Sequence, residues 1–187
     1  MKRVMCALLI CGVLFTSCGG TGDKTSSSQP ESSQLGYEVN LDSGTFEITP
    51  EQFISDYNTA VSSFMETSED AKAKYLQLIP DFVASGEEID INDSLSIAFE
   101  TNENGKIAEI DLRWYSVGIS DQDALNVGFI VSMLPSFLCP ESDFDLAKMV
   151  DAKRTDKKTD TTANLVYGMG YAYGAYSIYI KPLDFSK

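Results

Sequence analysis

The chemistry open to this 187-residue chain is narrowed first by a missing residue type: it contains no histidine. Serine–histidine and cysteine–histidine nucleophile pairs, imidazole metal sites and the usual general base at neutral pH are therefore closed to it. Catalysis would have to rest on carboxylates, lysine or tyrosine. Glu87, Glu88 and Asp90 are the nearest approach to an acid–base group. They would serve a small carboxylate-dependent hydrolase, acting on a cell-envelope or extracellular substrate, only if two carboxyl groups converged in a cleft with their pKa values pushed apart. A solvated acidic loop is the plainer reading of that stretch. Asp90-Ile91-Asn92-Asp93-Ser94 has the oxygen donors of a calcium loop. Leu95 stands where the sharp-turn glycine belongs and Thr101 where the bidentate glutamate belongs, which excludes an EF-hand. Gly168-Met169-Gly170 followed by Gly174 has the wrong spacing for a phosphate loop and reads as strand on both sides, so it is taken as hairpin backbone. No catalytic residue, cofactor or metal is assigned.

Aromatic residues offer more than titratable ones. Tyr167, Tyr171, Tyr173, Tyr176 and Tyr179 fall within thirteen residues. Rigid rings with a polar tip stack on a glycan or anchor a protein partner at low entropic cost, and they are the candidate binding residues. The competing role is cross-strand pairing that only stabilises a sheet. Lys153, Arg154, Lys157 and Lys158 crowd one short segment, but Asp151, Asp156 and Asp160 leave it at 4 − 3 = +1, so it reads as a charged loop.

The four cysteines do not make a disulfide framework. Lys2 and Arg3 form a basic start, Val4 to Phe15 is a nearly unbroken apolar run, and small residues, Thr16 and Ser17, precede Cys18. This segment resembles the signal peptide and lipobox of bacterial lipoproteins. The resemblance implies that Met1 to Ser17 is removed and that Cys18 carries a diacylglycerol thioether and usually an acylated amino terminus. It places the protein on the bacterial cell membrane with its domain on the extracytoplasmic side, or on the outer membrane of a two-membrane cell. The apolar run is too short to span a bilayer, which takes about twenty residues. Cys6 and Cys11 leave with the signal, and Cys139, in Phe137-Leu138-Cys139-Pro140, is then alone and reads as a small buried hydrophobe.

Removing Lys2 and Arg3 takes the formal charge from −14 to −16. An acidic body is repelled by nucleic acid and by anionic lipid head groups, so neither is expected as a partner, and the membrane is reached through the lipid on Cys18. Residues 18–36 are rich in Gly, Ser, Thr and Gln and read as a flexible tether, spanning on the order of 20–25 Å. Residues 37–187 suffice for one globular domain.

Within that domain Thr45 to Ile48 reads as an edge strand. Thr49-Pro50-Glu51-Gln52 is a helix start with Thr49 as N-cap and Pro50 at the first position, and Phe53, Ile54, Tyr57, Ala60, Val61, Phe64 and Met65 recur at helical spacing. Ser68 to Ile79 is predicted as a second helix ending before Pro80. Asn104-Gly105 predicts a two-residue type I′ hairpin, with Phe99 opposite Ile110, Ile97 opposite Leu112 and Leu95 opposite Trp114 on the core face. Ser120 caps a largely apolar helix from Ala124 to Leu138, whose Ala124, Gly128 and Ser132 predict close packing on the sheet. Asp143 to Val150 reads as a short helix, Asp151 to Asp160 as a charged loop, and Ala163 to Lys181 as a second hairpin turning somewhere between Gly170 and Gly174.

The expected fold is α+β, an antiparallel sheet with helices packed on one face. Its order of elements resembles the tandem helix-helix-hairpin modules of beta-lactamase-inhibitor-like proteins. The favoured function is a non-catalytic binding or accessory module working close to the membrane, with a protein or glycan partner at the tyrosine-rich hairpin.

Overall fold

The computed structural model describes residues 36–138, 140, 146–153 and 155–183. The predicted signal segment, Cys18 and the tether to Leu35 lie outside the described residues, as do Cys139, Arg154 and the first residues of the helix predicted at Asp143. Strands β1 (Val39–Asn40) and β2 (Thr45–Phe46) pair with each other as a two-stranded sheet. There follow helix α1 (Pro50–Thr67), a single 3-10 turn (Ala73–Tyr75), and strands β3 (Glu88–Asn92), β4 (Leu95–Thr101) and β5 (Ile107–Tyr115). Helices α2 (Asp121–Leu138) and α3 (Leu146–Ala152) then lead into β6 (Asp156–Asp160), β7 (Leu165–Ala172) and β8 (Ala175–Pro182). The six strands form one antiparallel sheet in the order β3-β4-β5-β8-β7-β6. The fold is α+β, as expected. Each half is an 18-residue helix followed by a three-stranded meander, and the two meanders meet along β5 and β8.

The α1 start follows its sequence. Gln52 N–H donates to Thr49 Oγ1, Pro50 fills the first turn where no N–H is needed, and Phe53, Ile54, Tyr57 and Val61 form the buried stripe. Ser120 caps α2 by accepting from Asp123 N–H while its hydroxyl donates to Asp123 Oδ2. The core-face pairs Leu95–Trp114, Ile97–Leu112 and Phe99–Ile110 stand as predicted, and all six side chains are buried.

The second predicted helix does not form. Only Ala73–Tyr75 makes a turn, and the chain runs on without regular structure to Glu87. Two asparagines take the backbone groups a helix would have used. Asn126 on α2 accepts from Gln77 N–H and donates to Tyr75 C=O, while Asn58 on α1 accepts from Ile79 N–H and donates to Ile79 C=O. Residues 75–79 are thus a strap clamped between two helices. Ala73, Leu76 and Ile79 turn inward, leaving Tyr75 and Leu78 exposed.

Four further expectations are corrected. Asn104 is not at positive φ; only Gly105 is, at 72°, and the loop is longer, with Gly105 N–H on Asn102 C=O and a bulge opposite Glu100/Thr101. Asn102 itself selects this form, because its side chain accepts from the N–H groups of both Asn104 and Lys106. Asp156–Asp160, predicted as loop, is an edge strand on β7, and Glu88–Asn92, part of the predicted acidic loop, is the opposite edge strand on β4. Charged residues on both outer strands guard edges that would otherwise template further pairing. The Ala124/Gly128/Ser132 stripe is half-exposed rather than packed on the sheet: a Cβ on Gly128 would meet nothing within 4 Å.

Two phenols, half-buried Tyr37 and buried Tyr57, tie α1 into this core. Tyr37 donates to Asp56 Oδ2 at 2.9 Å, and its pKa is pushed well above 10.0 by burial, by that bond and by the Asp56 charge; burial alone raises Tyr57. A folded-state pKa above the unfolded one means the fold favours the protonated phenol. This stability is full below about pH 10 and is lost as pH rises through the raised values. Denaturation midpoints are expected to fall steeply above about pH 10, and replacing Tyr57 by Phe should flatten the fall. An unchanged alkaline limb in Y57F would refute the assignment.

Candidate functional site at the second hairpin

Strands β7 and β8 are joined by Tyr173-Gly174, flanked by the pair Ala172–Ala175, with φ at +51° and +84°. Positive φ at both positions is the type I′ pattern, which here falls on Tyr-Gly rather than on Asn-Gly. A left-handed conformation costs an L-residue roughly 1–2 kcal/mol, and for a bulky side chain it is a marked outlier. Tyr173 is also fully exposed. The tip is held by Ser116, whose N–H (2.8 Å) and hydroxyl (3.0 Å) both donate to Gly174 C=O. Val117 lies so close that a Cβ on Gly174 would stand 2.4 Å from its Cγ2. Tyr115, Val117 and Tyr173, exposed by 63%, 75% and 103%, therefore gather at one pole of the sheet.

The five sequence-predicted tyrosines do not share one surface. Tyr167 is completely buried in the core. Tyr176 stacks on Trp114 at 4.7 Å with the rings parallel to 1°, and half-buried Tyr171 tilts against its other side at 4.6 Å. The Tyr176 pKa is raised by burial and by the nearby Tyr171 and Asp151, against a lowering hydrogen bond with Ser116. Tyr179 lies on the opposite, helix-free face, its ring filling the place a Gly168 side chain would take, with Lys181 Nζ 5.4 Å from its centroid. Only Tyr173 is at the tip.

Of the polar group beside this pole, sequence reasoning singled out only Glu88, and for a different role. On the helix-free face Arg113 donates from Nε (3.0 Å) and Nη2 (2.5 Å) to Asp111 Oδ2 and from Nη1 to Glu88. Ser177 donates to Asp111 Oδ1, and Ser96 to Glu88 Oε2. The Arg113 pKa is raised, first by its hydrogen bond to Asp111, which outweighs the lowering effect of burial, and then by the charges of Asp111 and Glu88. The β4–β5 register sets Ser96 opposite Arg113 and Ala98 opposite Asp111 on the outward face, which follows from the core-face pairs of the same hairpin. Between Arg113 and Thr155 the floor is made of small residues, Gly170, Ala172, Ala175 and Ser177, and forms a trough of about 360 Å³ rimmed by Tyr115. A wider groove of about 710 Å³ runs along the outer flank of α1, past Ser55, Thr59, Ser62 and the carboxylates of Glu51, Glu66 and Asp81.

Among the described residues no group of three Asp, Glu or Cys side chains is placed to hold a metal ion, and no helix is long and apolar enough to cross a membrane. Comparison with family models, with curated proteins and with solved structures finds no match.

Proposed function

We propose that this chain is an exported lipoprotein anchored through Cys18 in a bacterial membrane, and that its domain is a binding module whose contact surface is the pole formed by Tyr115, Val117 and Tyr173. The observation that carries this reading is Tyr173: a fully exposed tyrosine held at φ +51°, where Asn or Gly would sit without strain. Strain kept at an exposed aromatic tip has no value for the fold. The Ser116 bonds fix the backbone of the turn at Gly174 C=O, and the Trp114, Tyr176 and Tyr171 rings pack behind it, so the loop that carries Tyr173 is already formed when a partner arrives.

Placement supports the same reading. The chain enters the domain at Tyr37, whose N–H reaches Leu138 C=O, and Ile48 C=O accepts from Ile107 at the start of β5. The tyrosine pole lies at the other end of β5, roughly 26 Å away at about 3.3 Å per residue. The pole is therefore clear of the end at which the chain enters the domain.

The test is Tyr173→Asn, which creates the preferred type I′ pair. It should stabilise the domain by about 1 kcal/mol, raising Tm by roughly 2–4 °C, while abolishing partner capture from envelope extract by the immobilised full chain. Tyr115→Ser should lose capture without a change in Tm. Capture unaltered in both variants would sink the proposal.

A further inference from the structure

Resting on the reading that this pole is a contact surface, we propose that the adjoining trough takes an uncharged oligosaccharide segment. A sugar ring asks for two things at once, an aromatic face for its C–H surface and fixed donors and acceptors for its hydroxyls. Tyr115 supplies a ring that is 63% exposed. Arg113, its side chain 51% exposed, spends three N–H groups on Asp111 and Glu88 and keeps two of its five to offer. Because Ser177 and Ser96 also bind the two carboxylates, the array is ordered before any ligand arrives.

Charge decides what kind of saccharide fits. Arg113 with Asp111 and Glu88 sums to 1 − 2 = −1 on a chain of −14, so uronates, phosphorylated polymers and nucleotides are repelled. An extended peptide added by backbone pairing is also disfavoured, since Tyr171 N–H already meets Thr155 Oγ1 and Ser116 N–H meets Gly174 C=O.

The full chain should be titrated by calorimetry and amide chemical shifts with tetramers of β-1,4-linked N-acetylglucosamine, β-1,4-linked glucose and α-1,4-linked glucose, and with a galacturonate tetramer as the anionic control. At least one neutral tetramer is expected to bind with a Kd of about 1 mM or tighter, shifting Arg113, Tyr115 and Ser177. Gly170→Val should weaken it at least about tenfold with Tm unchanged, because a Cβ there meets only Ser177 Cβ at 4.0 Å while its methyls fill the floor. Tyr115→Ser, on an exposed side chain, should weaken it likewise if the valine perturbs the sheet. The proposal is overturned if no neutral tetramer binds, if galacturonate binds best, or if both variants bind as the parent does. If it falls while Tyr173→Asn still loses its captured partner, the contact pole stands and the saccharide does not.

Discussion

Truncating Phe53 to alanine is expected to destabilise the domain by about 3–5 kcal/mol. Phe53 is completely buried at the first turn of α1, where it touches rings from four other places in the chain. Phe99 of the sheet stands 5.5 Å away edge-on, Phe137 of α2 and Tyr37 of the entry segment both 6.3 Å away, and Tyr57 one turn on at 6.5 Å. The ring is thus the joint between both helices, the sheet and the incoming chain. Removing it loses the transfer energy of the ring and leaves a cavity that no single element can close by shifting. Denaturant titration should show a lower midpoint at an unchanged slope. A loss under about 1 kcal/mol would mean that α1 does not seat on the sheet as described.

Asn126→Leu is the second large effect, and it acts on the strap. Asn126 is 4% exposed and makes three hydrogen bonds, to Tyr75 C=O, Gln77 N–H and Gln122 C=O. Leucine fills the same volume but strands the Tyr75 and Gln77 backbone groups, at about 1–3 kcal/mol each if fully buried. Because Tyr75 is itself 46% exposed, water recovers part of that loss, and a net cost of about 2–4 kcal/mol is expected. Exchange of the Gln77 and Ile79 amide hydrogens should speed up far more than that of β4 or β5, since the strap is released while the sheet remains. Uniform acceleration through the sheet would show that Asn126 supports the whole fold and not the strap. Asn58→Leu, which strips both groups of Ile79, should couple with it, the double variant losing less than the sum.

Where local rules and tertiary packing agree, the chain could be read directly. The Thr49 and Ser120 caps, the stripe on α1 and the pairing of β4 with β5 are all set by neighbours within a turn or across a hairpin. The reading failed where distant side chains intervene. Ala71, Tyr75, Leu78 and Ile79 have helical spacing, yet Asn58 and Asn126, 21 and 49 residues from the groups they bind, hold that stretch extended. Asn104-Gly105 has the composition of a type I′ turn, but the Asn102 side chain captures the loop first. Tyr173 could not be placed at a turn, because a tyrosine at positive φ runs against the preferences from which turns are read. The proposed contact pole was half legible: the tyrosine cluster drew attention to the hairpin that carries Tyr173, while Tyr115 and Val117 carried no signal that marked them as its neighbours.

The seam between the two meanders carries a consequence for how the chain must be born. Strand β5 pairs with β8 across 180 − 110 = 70 residues, as in Ile110–Ile180, while β3, β4 and β5 pair with one another through short turns. In vectorial synthesis the first meander can therefore form well before β8 exists, and until then β5 is an open edge bearing Ile110, Leu112 and Trp114 on its apolar face. The finished sheet shows only charged strands at its borders, but the half-made one shows its most adhesive strand. Such an intermediate is the species a holding chaperone recognises. The chain is at its most vulnerable in the interval between the emergence of Tyr115 and that of Pro182, and any delay in translation within that interval lengthens the exposure.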